Sequence, residues 1–431
     1  MIYLLDFVSF LIGSLFSLWW LLLPVMLWLI VLEKQLFTAR YRYGSSLKWV
    51  FVEIQVPPEV TRTPKAMEEV FNSLHSIYRG GNWYSQLFNG FTAPSFTLEL
   101  VAHAGSLRLF VRCLDVYCDL VKSQIYSQYP EAKVVNAEDP LKDLPEKIPN
   151  PTHDLFGSDF RLPKVSGYPI RTYEVWERLP EEEQIDPISI LSEGAAQFTD
   201  QEWGVIQIPC MPVLANHPVW GENWHKAAQA EVDKLIGRTK EKEVGPFDEI
   251  AEFVTNLVYA PFRHPVWKTG EEKKEKQWPT LMQHLTPGQK LMVESIERKM
   301  GKQGYWCSAR IVYIGRRDVF NRARGWSALL GFFRLFSTQD LNGLIPDVKD
   351  SLTTIDEPSH SIKERVFYRK RILNYSTRFR TAGAKGNRFI LVGEELASLF
   401  HLPRTFVPAP GIERRIFAEK PPPTEIPMPE A

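Results

Sequence analysis

The fold follows from residues 96–111, whose sequence is FTLELVAHAGSLRLFV. Apolar and polar side chains alternate on both sides of Gly105, along residues 96–101 and again along residues 107–111. Alternation with a period of two is typical of a β-strand that buries one face, and a glycine between two such runs favours a tight turn. The stretch therefore predicts a β-hairpin.

A strand and a helix are predicted on each side of this hairpin. Before it, residues 49–56 are rich in β-branched and aromatic residues, and Thr63 followed by Pro64 is typical of the start of a helix. After it, the sequence predicts a helix over residues 115–129 and a strand over residues 132–136. The order β-α-β-β-α-β is that of the ferredoxin-like fold, which many unrelated functions use.

A second α/β domain with a helical insertion is predicted further along the chain. Thr286-Pro287-Gly288-Gln289 has the pattern of a capping box with proline at the first helical position. No internal sequence repeat is evident. The predicted elements are an extended segment at 168–175, a helix opened by Asp186-Pro187, strands at 203–208 and 305–314, a helix at 319–336, and a closing strand and helix at 389–392 and 394–400.

The insertion, residues 211–284, predicts helices at 220–236 and 247–258. The second of these has its apolar residues on one side, which is typical of a helix that packs against another surface. That surface belongs either to its own domain or to a partner protein or membrane. The residues of this candidate docking face are Phe247, Ile250, Phe253, Val254 and Leu257.

The N-terminal region predicts a membrane anchor. Residues 7–32 carry no charged side chain and include Trp19, Trp20, Pro24 and Trp28. At about 1.5 Å per residue, a helix of this length exceeds the roughly 30 Å hydrocarbon thickness of a bilayer. A cleaved signal peptide is disfavoured, because residues 1–6 contain no Lys or Arg.

The charges beside this apolar run predict its orientation. The basic residues Lys34, Arg40, Arg42 and Lys48 follow it. By the positive-inside rule they place everything after residue 33 in the cytoplasm, with the N-terminus outside. The sequence therefore predicts a single-pass protein of the cell membrane.

Composition and motifs argue against most enzyme classes. The net charge is zero, so no global basic field attracts nucleic acid, and the four cysteines lack the paired spacing of a zinc site. The chain has no phosphate-binding P-loop, no Gly-x-Gly-x-x-Gly, no His-Glu-x-x-His and no Gly-x-Ser-x-Gly motif. We therefore expect a protein that is not an enzyme and that has no cofactor.

The clearest local signal is a basic and aromatic segment at residues 363–388, in which Glu364 is the only acidic residue. It is interpreted as a solvated linker, a nucleic-acid contact, a surface for anionic lipid headgroups, or a surface for an acidic partner. The candidate contact residues are Lys363, Arg365, Arg369, Lys370, Arg371, Arg378, Arg380, Lys385 and Arg388, with Tyr368 and Tyr375.

These patterns divide the chain into an anchor, two folded domains and two linkers. The expected boundaries are 1–45 for the anchor and juxtamembrane segment, 46–139 for the ferredoxin-like domain, 140–157 for a linker, 158–345 for the second domain, 346–388 for a basic linker, and 389–431 for the closing strand, helix and Pro-rich tail. The expected class is α+β.

Several segments in this order resemble an uncharacterised membrane-anchored domain family of candidate-phylum (Patescibacteria-type) bacteria. That family is similar to the N-terminal, membrane-proximal region of type IV secretion coupling ATPases, which act in conjugative DNA transfer. The segments are TPKAMEEVF (63–71), SQIYSQYP (123–130), YPIRTY (168–173), DPI (186–188), LTPG (285–288), FSTQDLN (336–342) and EELASLFHLP (394–403).

The resemblance implies a structural or adaptor subunit of a type IV secretion-like apparatus. Such a subunit would dock a separate P-loop motor ATPase at the cytoplasmic face and would work within an oligomeric assembly. Many family members continue into a P-loop motor after the segment that corresponds to residues 399–403, whereas this chain continues into Pro421-Pro422-Pro423, so we expect no ATPase activity of its own. The alternative is a membrane-tethered nucleic-acid receptor that uses residues 363–388, with DNA as its ligand.

Overall fold

A computed structural model describes residues 22–180, 186–215, 223–236, 285–354, 362–383, 387–404, 411–412 and 414. Within them the class is α+β as predicted, with eleven α-helices and ten strands. The strands are β1 (Trp49–Gln55), β2 (Phe96–His103), β3 (Ser106–Leu114), β4 (Lys133–Ala137), β5 (His153–Arg161), β6 (Glu202–Val213), β7 (Gly304–Cys307), β8 (Ala309–Arg316), β9 (Ile345–Pro346) and β10 (Phe389–Val392). The helices are α1 (Leu22–Ser46), α2 (Pro64–Leu74), α3 (Trp83–Phe88), α4 (Cys118–Gln128), α5 (Tyr173–Glu177), α6 (Pro187–Ala195), α7 (Trp224–Ile236), α8 (Pro287–Met300), α9 (Arg322–Arg334), α10 (Ile362–Phe379) and α11 (Gly393–Leu399).

All ten strands belong to one sheet, ordered β4-β1-β3-β2-β6-β8-β5-β9, with β7 on the end of β6 and β10 beyond β7. Residues 49–137 form a first unit whose chain order is the predicted β-α-β-β-α-β. Its hairpin turns at Gly105, whose φ of +73° lies in the left-handed region where a side chain would add strain. Helices α2 and α4 pack side by side over the sheet.

Residues 153–346 form a second unit with the same plan. Its core elements follow the chain order β5-α6-β6-β8-α9-β9, with α5, α7, α8 and β7 as additions. Its strands lie in the order β9-β5-β8-β6, which matches β4-β1-β3-β2 of the first unit. Helices α6 and α9 pack together as α2 and α4 do. The topology therefore repeats although the sequence shows no repeat.

The two units are joined through equivalent strands. Strand β2 pairs with β6 over eight antiparallel positions, from Phe96↔Cys210 to His103↔Trp203. A single apolar core of buried residues runs along the helix-covered face of both units. A smaller core on the opposite face includes Leu141, Leu144 and Ile148, so the segment predicted as a linker packs against the sheet.

Three sequence-based assignments differ from the structure. Strand β5 lies partly in the predicted linker 140–157, the extended segment predicted at 168–175 is no strand and ends in α5, and the predicted basic linker 346–388 contains α10. Strand β5 has no apolar alternation because it is covered on both faces and carries Asp159, which pairs with Arg310 on β8. Such a distant partner leaves no trace in the local pattern.

Capping chemistry places two of the predicted helices correctly. The Asp186 carboxylate accepts the N–H of Ile188 at 2.9 Å at the start of α6. Thr286 and Gln289 form the predicted capping box at the start of α8. Both caps sit directly before a proline, which suits the first helical turn because it has no N–H to leave unpaired.

The predicted anchor lies mostly outside the described residues, including Trp19 and Trp20. Helix α1 carries Pro24 and Trp28, both exposed. Among the helices that the structure describes, none combines the length and apolar character needed to cross a bilayer. In the insertion, α7 agrees with the first predicted helix. The predicted docking face on residues 247–258 lies outside the described residues.

Candidate functional site

Helix α10 lies across the sheet face opposite the paired helices. Leu373 is its main buried apolar side chain and belongs to the smaller core together with Val205 and Val312. A Cβ added at Gly157 of β5 would lie 2.9 Å from Leu373 Cδ2, so the glycine lets the helix approach the sheet closely. Most other inward positions of α10 are polar, including Asn374 and Thr377, which are both buried.

Basic side chains of α10 fasten its first half to β5 and to the segment that follows β9. Arg369 Nη1 donates to the Leu352 carbonyl at 2.8 Å, and the guanidinium also donates to the carbonyls of residues 348 and 349. Lys370 Nζ lies 2.6 Å from Asp154 Oδ1 on β5, with both side chains largely covered. These two predicted contact residues are therefore engaged within the chain.

The second half of α10 is fastened to residues 144–146. Arg378 Nη2 donates to the carbonyls of Leu144 and Pro145 at 2.5 and 2.6 Å. Asn374 Nδ2 donates to the Glu146 carbonyl at 2.9 Å. Because each of these carbonyls lacks a partner in a helix or strand, the bonds hold both segments in place.

Arg380, directly after α10, is the most buried of the predicted contact residues. Its Nε lies 2.8 Å from Glu99 Oε1 and its Nη2 lies 2.6 Å from Asp139 Oδ1. Burial raises the pKa of Glu99, although the Arg380 charge opposes the shift. Burial also acts to raise the pKa of Asp139, but hydrogen bonds and charge from Arg380 outweigh it and hold that pKa below its ordinary value. Arg380 therefore ties the end of α10 to both β2 and the segment after β4.

The outward side of α10 is aromatic. Tyr368, Ile372, Tyr375 and Phe379 recur at intervals of four, three and four residues and are 66, 47, 57 and 58% exposed. This spacing puts them in one stripe on a helix. The Tyr375 and Phe379 rings lie 4.5 Å apart between centroids. We call the set Phe367, Tyr368, Ile372, Tyr375 and Phe379 the outer aromatic face.

Three cations border the outer aromatic face without an ion-pair partner among the described residues: Lys363, Arg365 and Arg371. The Arg371 guanidinium lies 5.9 Å from the centre of the Phe367 ring. Arg388 lies elsewhere, where it donates to the Gly383 carbonyl at 2.7 Å and covers the Trp306 ring. Lys385 is outside the described residues.

The structure thus divides the basic residues of this segment into those that make contacts within the chain and those that do not. Arg369, Lys370, Arg378, Arg380 and Arg388 are engaged in internal contacts. Among the predicted contact residues that the structure describes, only the cations Lys363, Arg365 and Arg371 remain available beside the aromatic stripe. The aromatic spacing is visible in the sequence and could have predicted this stripe, but the polar inward side hides the helix from a search for a buried apolar face.

The remaining polar clusters tie elements together. Lys302 Nζ lies 2.8 Å from Glu68 Oε1 and 2.6 Å from Glu394 Oε2, and the Tyr173 hydroxyl donates to Glu68 at 2.5 Å. The four cysteines are buried and form no disulfide bond. Within the described part of the chain, no group of three or more His, Cys, Asp or Glu side chains is placed to hold a metal ion.

A comparison with protein families gives a match over most of the chain. A family model described as a domain of unknown function, DUF8128, matches residues 43–414. The matched range starts near the end of α1 and includes both units and α10. No curated protein matches the chain.

Proposed function

The chain belongs to DUF8128, a family of unknown function, and from its own surfaces we propose that it is a membrane-tethered docking subunit. Its outer aromatic face receives a partner protein at the cytoplasmic side of the membrane. The observation that carries this proposal is the inverted character of α10, whose polar side faces the sheet while its aromatic side faces outward.

The composition of the face favours a protein partner over nucleic acid. Tyrosine and arginine are enriched in the energetically dominant positions of protein interfaces, and aromatic rings give large contact area at low entropic cost. Nucleic-acid affinity depends mainly on many cations at phosphates, and five of the predicted cations are engaged internally. The three other cations that the structure describes suit an apolar partner surface with an acidic rim.

The tether rests on the sequence. The uncharged run at residues 7–32 is long enough to span a bilayer, and the basic residues that follow favour a cytoplasmic position for both units. Each unit has the chain order and strand arrangement of a ferredoxin-like fold, which many unrelated functions use, so the fold alone indicates no chemistry. The resemblance to coupling proteins makes a P-loop motor ATPase of a type IV secretion-like apparatus the partner we propose, within an oligomeric assembly.

Affinity purification of the full-length protein from detergent-solubilised native membranes tests this function. We expect a P-loop ATPase to co-purify, and to be lost when Tyr375 and Phe379 are both changed to serine. Both side chains are exposed, so the fold should tolerate the changes within about 0.5 kcal/mol. The matched control is Val116→Ser, which alters an apolar side chain that is 82% exposed elsewhere on the molecule.

Two results would contradict the proposal. Recovery of the same ATPase with the double variant would exclude the outer aromatic face as its docking surface. Recovery of nuclease-sensitive DNA alone, reduced when Lys363, Arg365 and Arg371 become alanine, would instead favour the nucleic-acid receptor. Arg369 and Lys370 are unsuitable for that test because their removal disturbs the attachment of α10.

A further inference from the structure

A groove of about 440 Å³ lies between α1 and α3. One wall is a single side of α1, since residues 31, 35, 38 and 42 are spaced as neighbours along one helix face. The other wall is the end of α3. The lining residues are Val31, Lys34, Gln35, Thr38, Ala39, Arg42, Phe88 and Asn89.

The groove is held open by a close backbone contact. A Cβ added at Gly90 would lie 2.2 Å from the carbonyl carbon of Ala39, so the loop after α3 rests directly on the backbone of α1. Gly90 has a φ of +65°, where glycine is favoured, which fixes the direction of this loop. The Tyr43 and Phe91 rings add a second contact, with centroids 5.7 Å apart.

The chemistry of the groove is that of an anion site with one apolar wall. Lys34 and Arg42 line it, and neither has a carboxylate partner among the described residues. The amides of Gln35 and Asn89 supply neutral donors, while Val31 and Phe88 are apolar. Glu33, the only acidic residue of α1, is not part of the lining.

The position of the groove matches the membrane surface. Lys34 and Arg42 lie two and ten residues beyond Leu32, the end of the uncharged run, which is about 3 and 15 Å along a helix. Side chains on a helix lean toward its N-terminus, here toward the bilayer, so both cations reach back to the headgroup layer. Phe37, Tyr41, Tyr84 and Phe88 are exposed at the same end of the molecule, as aromatic residues at a membrane interface are.

We propose that this groove binds the phosphate of an anionic phospholipid, with the apolar wall along the start of its acyl chains. The inference rests on the proposed membrane tether. It adds a lipid ligand that sets the distance of the two units from the bilayer surface. Lys34 and Arg42 pair with the phosphate, and the amides of Gln35 and Asn89 contact the headgroup.

Native mass spectrometry of the full-length protein in detergent, titrated with dioleoyl phosphatidylglycerol or dioleoyl phosphatidylcholine, tests the proposal. We expect one phosphatidylglycerol per chain to bind more tightly than phosphatidylcholine. Each of Lys34→Gln and Arg42→Gln should weaken phosphatidylglycerol binding roughly fivefold, the effect of one cation near an anionic surface. Arg40→Gln is the matched control, because it removes the same charge from the same helix outside the groove.

Two glycine variants test whether lipid binding depends on the shape of the groove or only on the basic residues of α1. Gly90→Ala forces the loop away from Ala39 and should abolish the preference for phosphatidylglycerol while both cations remain. Gly44→Ala is its control, since a Cβ there meets nothing within 4 Å. Unchanged lipid preference in Gly90→Ala would overturn the proposal, as would equal losses in Arg40→Gln and Lys34→Gln.

Two further measurements are needed. One distinguishes a lipid phosphate from inorganic phosphate, and the other tests the membrane tether separately from the lipid site. Inorganic phosphate that binds as tightly as phosphatidylglycerol would overturn the assignment to a lipid. Extraction of native membranes with alkaline carbonate tests the tether separately. A protein released by carbonate contradicts the tether, whereas one that stays in the membrane but binds both lipids equally contradicts only the lipid site.

Discussion

At the scale of single residues, α9 contains one glycine that is closely packed and one that faces open space. A Cβ added at Gly325 would lie 2.3 Å from the Tyr313 ring, whereas a Cβ at Gly331 would meet nothing within 4 Å. The Tyr313 ring cannot easily yield, because its hydroxyl bonds to Glu202 and accepts the N–H of Asn321. The same substitution should therefore act in opposite directions six residues apart.

We expect Gly331→Ala to raise the free energy of unfolding by about 0.5–1 kcal/mol, since alanine restricts the unfolded chain and favours helix. Gly325→Ala should lower it by about 1–3 kcal/mol through overpacking. Denaturant unfolding of the full-length protein in detergent measures both. Equal effects from the two variants would show that packing against Tyr313 does not determine the stability of the Gly325→Ala variant.

The Asp186 carboxylate should make the free energy of unfolding depend on pH. Burial acts to raise its pKa, but the charge of His401 and the N–H groups of Arg404 and Ile188 outweigh this and hold the pKa below its ordinary value. A carboxylate with a lowered pKa contributes stability above its unfolded pKa of about 3.9, and that stability is lost as the pH falls through the folded value.

Asp186→Asn should therefore cost about 1–3 kcal/mol at pH 7, the range for hydrogen bonds to a charged group. The difference from the unmodified protein should shrink as the pH falls below about 4, because the unfolded chain then takes up a proton that the native carboxylate does not, and it should be smallest once the pH is below the folded pKa. Unfolding curves at pH 7 and pH 3 give the comparison. A difference of the same size at both pH values would mean that the carboxylate charge contributes nothing.

At the scale of elements, α10 depends on the pair formed by Arg380 and Glu99. Arg380→Met leaves Glu99 buried without its partner, which typically costs about 3–5 kcal/mol. Adding Glu99→Gln should recover a large part of that loss, because the uncompensated charge is gone. Arg371→Met, on the exposed side of α10, should change stability by less than about 0.5 kcal/mol.

A double-mutant cycle on unfolding free energies tests this dependence. Additive effects of Arg380→Met and Glu99→Gln would show that the two side chains act independently. Amide hydrogen exchange supplies a second readout, since loosening of α10 should raise exchange in residues 362–379 before it affects β1 or β3.

Local sequence patterns predicted some elements and not others, for physical reasons. Strands β1 to β3 and the helices that begin at Pro187 and Pro287 depend on alternation, caps and prolines within a few residues. Strand β5 and the attachment of α10 depend on pairs such as Arg310 with Asp159, which are 151 residues apart. The candidate site was predicted as a set of basic residues, but only tertiary contacts show which of them stay free.

At the scale of the whole molecule, the shared sheet makes the two units one cooperative body. Leu100 is buried in β2 and lies opposite Ile206 of β6. Leu100→Ala should cost about 2–5 kcal/mol and should destabilise both units together. Protection of amide hydrogens should fall equally in β1 and β8. Two separate unfolding transitions, or a loss confined to the first unit, would contradict this expectation.

The pairing of β2 with β6 also has a consequence for a chain severed at residue 150, between the two units. Each fragment would carry an apolar strand edge that only the other fragment covers, so co-expressed fragments should complement one another, while either fragment alone should aggregate.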